Sequence, residues 1–193
     1  MSRVGVPEEL SPTGYASVVE LVGSPHSSSR TWALAEAVRS ALTTMGIVSG
    51  HNHEVLELSQ IVGVSFTAQP IAASVPHADP FTTVRRARLL IVASPAYKGT
   101  YTGLLKVFLD QLPRDALAGT VAIPVVLAAS RIHEQTASEA LSALLRELGA
   151  SVPAVALTAN AAKTSLTAAA IAWARHYATA VAESLNQRSS TAA

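Results

Sequence analysis

The chain has 193 residues, 49% of them hydrophobic and 14% charged, which is enough apolar material for the core of one domain. A formal net charge of +1 argues against a nucleic-acid partner, and the absence of cysteine excludes disulfides and thiolate metal sites. No apolar run reaches the roughly 18 to 20 residues needed to span a bilayer, and Pro7, Glu8 and Glu9 interrupt the region where a signal peptide is continuously apolar.

We therefore expect one cytoplasmic domain without a membrane segment. Its two ends differ from the middle, because residues 1–14 carry Pro and Gly breaks with few apolar side chains and residues 188–193 are small and polar. We predict a poorly ordered N-terminal segment (1–14), a single folded domain (15–187) and a flexible tail (188–193).

Five short runs rich in Val, Ile and Leu recur along the chain, each bounded by Gly, Pro or Ser. They predict strands at Ser17–Val22, Glu54–Leu58, Arg88–Ala93, Val121–Leu127 and Val152–Leu157. The third and fourth runs are nearly all apolar, as in strands that are buried on both faces of a parallel sheet.

Apolar residues at spacings of three and four predict four helices. The helical patterns run from Trp32 to Met45, from Leu104 to Leu112, from Leu141 to Leu148 and from Trp173 to Leu185. Gly149 stands where a helix C-cap is expected. After a long link from Ser59, the pair Asp79-Pro80 predicts the N-cap and first position of a further short helix.

This alternation predicts an α/β fold, a flavodoxin-like doubly wound five-stranded parallel sheet with helices on both faces. In such a fold the ligand site lies at the carboxyl ends of the strands, near the point where the strand order reverses. The loops that follow the first and third strands are therefore examined first.

The loop after the first strand reads V-G-S-P-H-S-S-S-R-T, Val22 to Thr31, and holds five hydroxyl side chains and an arginine. Hydroxyls and a guanidinium at the start of a helix suit a phosphate, which the helix dipole also favours. The glycine patterns of dinucleotide-binding and Walker nucleotide-binding loops are both absent. A loop whose serines only cap the helix is the alternative.

The loop after the third strand reads S-P-A-Y-K-G-T-Y-T-G-L-L-K-V-F-L-D-Q-L-P, Ser94 to Pro113. Its turn, Pro95 to Gly99, presents backbone N–H groups and a tyrosine, as the flat ring of a flavin requires. Thr100, Tyr101 and Thr102 then lead into a helix.

Together the two loops resemble the NADPH-dependent FMN reductase family, a flavodoxin-like group that includes the reductases of bacterial alkanesulfonate monooxygenase systems. That family shows G-S-P-x-x-x-S-R-T after its first strand and S-P-x-Y-x-x-x-Y-x-G-x-L-K-x-x-L-D after its third. Both patterns are present, as Gly23 to Thr31 and as Ser94 to Asp110.

The resemblance implies FMN and either NADPH or NADH as cofactors, with hydride passing directly between nicotinamide and flavin, so that no catalytic side chain is expected. It implies that the FMN phosphate is bound by Ser24, Ser27, Ser29, Arg30 and Thr31. It implies that the isoalloxazine ring is lined by Pro95, Ala96, Tyr97 and Lys98.

The loop after the fourth strand departs from the family pattern T-G-G-[ST]-x-x-H, because Ala128 and Ala129 stand where the family has glycines. An alanine at a positive φ would strain this loop, whereas one at a negative φ costs little. Ser130 and His133 keep their places, so all four residues are counted as candidate flavin contacts; a surface position at the helix start is the alternative for His133.

The resemblance also implies a homodimer or homotetramer, with an interface at the helix after Gly99. Plain intramolecular core is the alternative for its candidate interface residues, which are Tyr101, Leu104, Leu105 and Phe108.

The most direct functional hypothesis is an NAD(P)H-dependent FMN reductase, and the resemblance implies a partner monooxygenase that receives the reduced flavin. One alternative is a quinone, azo or metal-ion reductase with retained FMN. Another is a non-enzymatic, flavodoxin-like electron carrier, which the near-neutral charge disfavours because flavodoxins are usually acidic.

Three other clusters are given no role in this chemistry. A turn holding His51, His53 and Glu54 indicates no further metal ligand, and His26 has no acidic partner nearby for a hydrolase triad. The arginines around 85–88 precede the third strand, so we expect them at the edge of the sheet opposite the ligand site.

Overall fold

The computed structural model of the protein describes residues 17–61, 79–160, 162 and 165–189. Its sheet has five parallel strands in the order β2-β1-β3-β4-β5. The strands are β1 (Val18–Val22), β2 (His53–Glu57), β3 (Leu89–Pro95), β4 (Val121–Ala128) and β5 (Leu157–Asn160). This order confirms the predicted flavodoxin-like, doubly wound sheet. The predicted N-terminal segment (1–14) lies outside the described residues.

The helices are α1 (Arg30–Thr44), α2 (Leu58–Ile61), α3 (Pro80–Arg86), α4 (Gly103–Leu109), α5 (Arg131–Glu147) and α6 (Leu166–Ser189). As predicted, Asp79 caps α3 by accepting the N–H of Phe81 at 3.1 Å, and Pro80 takes the first helical position. We predicted the end of the domain at residue 187, and helix α6 ends two residues later, at Ser189. None of the helices in the described ranges combines the length and apolar content that crossing a bilayer requires.

Alternate residues of each strand face opposite layers, which gives the sheet two cores. On one face α1 and α6 cover Val18, Val22 and Ile91; on the other, α4 and α5 cover Leu21 and Val92. Every residue of β1 and β4 is buried, because helices cover both faces of these strands.

The fifth strand was predicted at Val152–Leu157, and this prediction was wrong by most of its length, since β5 begins at Leu157. On the β5 side of β4, Ala122 donates its N–H to the carbonyl of Ser151 at 2.7 Å. The next N–H on that side would belong to Pro124, which has none, and Pro153 likewise lacks a donor. The ladder therefore stops and resumes only at Leu157, which pairs with Val125.

The strand order reverses between β1 and β3, because the chain passes from β1 to one neighbour, β2, and then returns to the other, β3. At this edge Val22 pairs with Ala93 and Pro95 pairs with Leu127. The loops that follow β1, β3 and β4 consequently emerge side by side at the carboxyl edge of the sheet, where parallel sheets of this type bind ligands.

Candidate functional site

Three loops meet at this edge, and the thirteen candidate contact residues lie on them, on the helices that they open or, for Pro95 and Ala128, at the last position of the preceding strand. The first loop links β1 to α1, the second links β3 to α4 and the third links β4 to α5. Direct contacts join them: Ala96 of the second loop donates its N–H to the carbonyl of Leu127 at 2.8 Å. A Cβ on Gly99 would lie 3.5 Å from Thr136 Oγ1 and 4.0 Å from His133, so the second loop touches the start of α5.

The first loop begins with a close fit against α4. Gly23 donates its N–H to Ala93 at 2.7 Å and continues the ladder between β1 and β3. A Cβ at this position would lie only 2.7 Å from the Cβ of Leu105, closer than real Cβ atoms come to another atom. Glycine is therefore required here by packing, in addition to any ligand.

The middle of the first loop is held by β2. Ser28 has a left-handed backbone with φ of 49°, which is unusual for a residue other than glycine. Its N–H donates to Glu57 Oε2 at 2.7 Å. The carboxylate thus stabilises the turn that directs the chain into α1, a role that sequence analysis missed because Glu57 belongs to another strand.

The N-terminus of α1 combines both functions that the serine-rich sequence allowed. Ser29 is the N-cap, since its Oγ accepts the N–H of Trp32 at 3.2 Å. The N–H groups of Arg30 and Thr31 have no acceptor within the helix and point away from its first turn. Capping and anion binding are therefore compatible, because the cap uses one N–H and leaves others to a ligand.

The candidate phosphate-binding side chains differ in exposure. Ser27 and Arg30 are exposed and Ser29 is half-buried, so these can reach a ligand at the surface. Ser24 and Thr31 are buried, and Ser24 Oγ accepts the N–H of His26 at 3.2 Å. The Ser24 hydroxyl thus stabilises the loop, and neither side chain is open to a ligand at the surface.

The second loop is a tight hairpin turn. Tyr97 and Thr100 exchange backbone hydrogen bonds of 2.8 and 3.2 Å, and the two residues between them, Lys98 and Gly99, have φ of 52° and 85°. Two positive φ values in succession are the signature of a type I′ turn. Pro95 and Ala96 are half-buried at its base, and the turn leaves the ring of Tyr97 about half exposed at the edge of the sheet.

The third loop accepts its alanines without strain. Outside glycine, the described residues with positive φ are Ser28, Lys98 and Asp115, so Ala128 and Ala129 have ordinary backbone angles. The N-cap of α5 is the half-buried Ser130, whose Oγ accepts the N–H of His133 at 3.5 Å. Asn160, at the end of β5, donates to the carbonyl of Ala129 at 3.0 Å and was not singled out from the sequence.

Thr102 and Ser94, to which sequence analysis gave no role, lie beneath the loops. Thr102 is buried and its Oγ1 donates to the carbonyl of Gly23 at 2.6 Å, which joins the second loop to the first. Its own N–H donates to Ser94 Oγ at 3.0 Å. The position of Thr102 just before the apolar residues of α4 marks it in the sequence as an N-cap, but not as a link between loops.

The candidate interface residues divide between core and surface. Leu105 and Phe108 are fully buried within the protomer, as in the core alternative, and Phe108 stacks on Phe81 with ring centroids 4.7 Å apart. Tyr101 and Leu104 are half-buried. Val107, which sequence analysis did not select, is the exposed apolar residue of α4, at 44%.

Two clefts lie away from the three loops on the described surface. One of about 440 Å³ lies between α1 and α6 and is lined mainly by small side chains such as Ala33, Ala37 and Ser40. A cleft of about 530 Å³ is flanked by Arg85, Arg86 and other polar residues. Because α3 precedes β3, those arginines lie at the amino edge of the sheet, as expected.

No cluster of three or more His, Asp or Glu suited to a metal ion is found in the part of the chain that the structure describes. His51, His53 and Glu54 are exposed at the start of β2, also at the amino edge.

Comparison with known proteins points to one family. The model of the NADPH-dependent FMN reductase family matches residues 16–164. NADH-dependent FMN reductase SfnF of Pseudomonas fluorescens is 34% identical over 120 residues, 62% of either chain. FMN reductase (NADPH) of Escherichia coli is 33% identical over 135 residues, 69% of this chain and 67% of that one. The chain thus spans 62% to 67% of the length of these curated relatives.

Solved structures show the same fold at lower identity. A flavodoxin, WrbA-like protein from Agrobacterium tumefaciens superposes with a TM-score of 0.61 at 18% identity, covering 90% of this chain and 99% of that one. At this identity the likeness concerns the arrangement of strands and helices, not the activity.

Proposed function

The chain belongs to the NADPH-dependent FMN reductase family, and on that premise we propose that it transfers hydride from NADH or NADPH to FMN. The observation that carries the proposal is the meeting of the three loops at the carboxyl edge of the sheet. A helix N-terminus with exposed Arg30 and a turn with exposed Tyr97 lie there together, one suited to a phosphate and the other to an aromatic ring.

The residues of this edge fit FMN in their donor chemistry. At the phosphate end we propose the N–H groups of Arg30 and Thr31, the Arg30 guanidinium and the hydroxyls of Ser27 and Ser29. Ser24 would contribute through its backbone, because its side chain is buried. The ordinary φ angles at Ala128 and Ala129 remove the objection that alanine in place of glycine strains the loop.

At the ring end we propose Pro95 to Lys98 on one side, with Ala128 to Ser130 and His133 on the other. The type I′ turn holds its backbone in one conformation, which preserves the position of its N–H groups without reorganisation. Tyr97 offers an aromatic surface beside them. Bound FMN would supply the hydride-accepting chemistry, so the chain needs to orient the ring and the nicotinamide and to exclude water.

The proposal extends to the assembly and the setting of the protein. We propose a homo-oligomer formed through the exposed side of α4, in keeping with the family resemblance and with the exposure of Val107. Delivery of reduced flavin to a monooxygenase partner and a cytoplasmic location, which the absence of cysteine suits, belong to the same proposal.

The test is the oxidation of NADH and of NADPH, followed with the purified chain in the presence and absence of FMN, FAD and riboflavin. We expect nucleotide oxidation that depends on added FMN. If no flavin or quinone supports oxidation of either nucleotide, the reductase proposal is wrong.

The same preparation separates the alternatives. A colourless protein that is active only with added FMN treats flavin as a substrate, as a flavin-supplying reductase does. A yellow protein that reduces a quinone or azo dye without added flavin is a reductase with retained FMN. A yellow protein that oxidises neither nucleotide is an electron carrier.

A further inference from the structure

We propose that Thr102 is a positioning residue that sets the distance between the phosphate end and the ring end of the flavin site. This inference rests on the proposed function. It assigns a role to a residue outside both candidate contact sets, whose hydroxyl bonds the first loop and whose backbone N–H bonds the end of β3, from which the second loop starts.

The hydroxyl of Thr102 stands at the centre of a buried set of hydrogen bonds. Its Oγ1 donates to the carbonyl of Gly23, 79 positions away in the chain, at 2.6 Å. The same oxygen accepts the N–H of Leu105 at 3.1 Å and so caps α4. We call the first loop, between β1 and α1, the phosphate loop, and the second loop, between β3 and α4, the ring loop. One atom thus joins the first residue of the phosphate loop to the first turn of α4.

The backbone of Thr102 extends this set into β3. Its N–H donates to Ser94 Oγ at 3.0 Å, and that hydroxyl donates to the carbonyl of Pro95 at 3.0 Å. Thr102 and Ser94 are both buried, so water cannot replace these bonds without opening the core. The base of the ring loop is therefore held to the same point as the phosphate loop.

Packing limits this spacing in one direction only. Gly23 lies so close to Leu105 that a Cβ would approach the Leu105 Cβ to 2.7 Å. Contact of this kind prevents the first loop from moving closer to α4, the helix that the second loop opens, but does not prevent the two from moving apart. In the opening direction the Gly23 N–H is held by the carbonyl of Ala93 at 2.7 Å, and the hydrogen bond from Thr102 adds a restraint on the Gly23 carbonyl, from which the rest of the first loop continues.

Spacing matters for a ligand that binds at both ends. FMN places its phosphate in one loop and its ring in the other, so its affinity depends on how well their separation matches the ligand. Riboflavin occupies the ring loop alone, and inorganic phosphate occupies the phosphate loop alone. A change in the spacing between the loops therefore weakens FMN binding selectively.

Thr102→Val removes the hydroxyl and keeps the shape of the side chain. We expect the dissociation constant of FMN, measured by flavin fluorescence, to rise roughly tenfold, while those of riboflavin and inorganic phosphate change little. Thr102→Ser restores the hydroxyl and should restore FMN binding. Ser94→Ala removes the acceptor of the Thr102 N–H, should weaken FMN in the same selective way, and carries the test if Thr102→Val does not fold.

Thr120 provides a matched control, because it is also buried and its Oγ1 donates to the carbonyl of Ala87 at 3.0 Å, across two elements at the amino edge. Thr120→Val loses a comparable buried bond and should lower thermal stability without selective loss of FMN. The inference is overturned if Thr102→Val weakens the binding of FMN and riboflavin equally or binds FMN as tightly as the wild type does. It is also overturned if Thr120→Val selectively weakens FMN binding. Failure of the wild-type chain to bind FMN would overturn the proposed function as well.

Discussion

At the scale of single residues, the most unusual side chain is a carboxyl group buried inside the sheet. Glu20 of β1 is fully buried beneath α1, where Arg39 Nε lies 3.0 Å from its Oε1. The N–H groups of Arg39 are directed to Glu36, however, and neither oxygen of Glu20 receives a well-aligned hydrogen bond. A single arginine thus faces two carboxyl groups.

These surroundings shift the pKa values of the two carboxyl groups in opposite directions. Burial, with the nearby Glu36 carboxylate, raises the pKa of Glu20 from 4.5 to about 8. Partial burial of Glu36 acts in the same direction, but hydrogen bonds from Arg39 outweigh it and lower the pKa of Glu36. The cluster therefore holds ionised Glu36, charged Arg39 and protonated Glu20 at neutral pH.

We predict that Glu20→Gln flattens the dependence of stability on pH. In the wild type the folded state keeps a proton that unfolding releases between pH 4.5 and about 8, so the free energy of unfolding falls as pH rises through this window. Urea denaturation at the acidic and basic ends of the window should show roughly 4 kcal/mol less loss for Glu20→Gln than for the wild type.

The matched control is Glu147→Gln, which alters an exposed carboxylate at the end of α5. This variant should follow the wild-type profile. Parallel profiles for Glu20→Gln and the wild type would contradict a protonated Glu20.

The exposed guanidinium at the start of α1 leads to a second residue-scale prediction. Arg30→Ala should weaken FMN binding by about tenfold, because a charge-assisted hydrogen bond contributes about 1.5 kcal/mol or more. The affinity for riboflavin should be nearly unchanged, because riboflavin has no phosphate. Flavin fluorescence titrations measure both constants. Arg85→Ala, at the amino edge, is the control, and equal loss of both flavins in Arg30→Ala would remove the phosphate role.

At the scale of elements, α1 and α5 end in the same way but in different surroundings. Gly46 and Gly149 each follow the C-cap with φ of 71° and 90°. In both helices the next N–H reaches back to close the last turn, from Ile47 to Leu42 and from Ala150 to Leu145, each at 3.0 Å. A Cβ on Gly46 would meet nothing within 4 Å, whereas one on Gly149 would lie 3.1 Å from the Cα of Asp115.

We predict that Gly149→Ala is the more destabilising of the two alanine substitutions. Gly46→Ala should cost about 1 kcal/mol for the left-handed backbone alone, and Gly149→Ala should cost roughly 2 to 3 kcal/mol because the loop holding Asp115 must also move. Chemical denaturation measures both. Similar losses for the two variants would show that the loop yields freely.

At the scale of the whole molecule, the homo-oligomer that we propose requires an exposed apolar surface for a second copy. Val107 on α4 is 44% exposed, and Val155, before β5, is 63% exposed at the other side of the sheet. We predict that Val107→Glu lowers the oligomeric state, because a charge at an apolar interface loses its hydration without gaining a partner. Light scattering after gel filtration measures the mass.

Val155→Glu introduces the same charge away from α4 and should keep the wild-type mass. Dissociation in Val155→Glu with an intact oligomer in Val107→Glu would place the interface at β5 instead.

Much of the fold was predictable because its signals are local. Caps such as Asp79 and Gly149, the turn at Lys98-Gly99 and the spacing of apolar residues depend on neighbours within a few positions, so the amino-acid sequence is sufficient to predict them. Local motifs also identified the loops at Gly23 to Thr31 and Ser94 to Asp110, and the family match confirmed the resemblance that they carried.

Contacts between distant segments were not predictable from those signals. Pro124 of β4 shortens β5, and Glu57 of β2 accepts a hydrogen bond from the Ser28 turn. Leu105 is buried in the core and is not exposed at an interface. The bond from Thr102 to Gly23 joins residues 79 positions apart. A hydroxyl before a helix has the same sequence whether it only caps that helix or also ties two loops together, because the difference lies in which carbonyl the folded sheet brings within 3 Å.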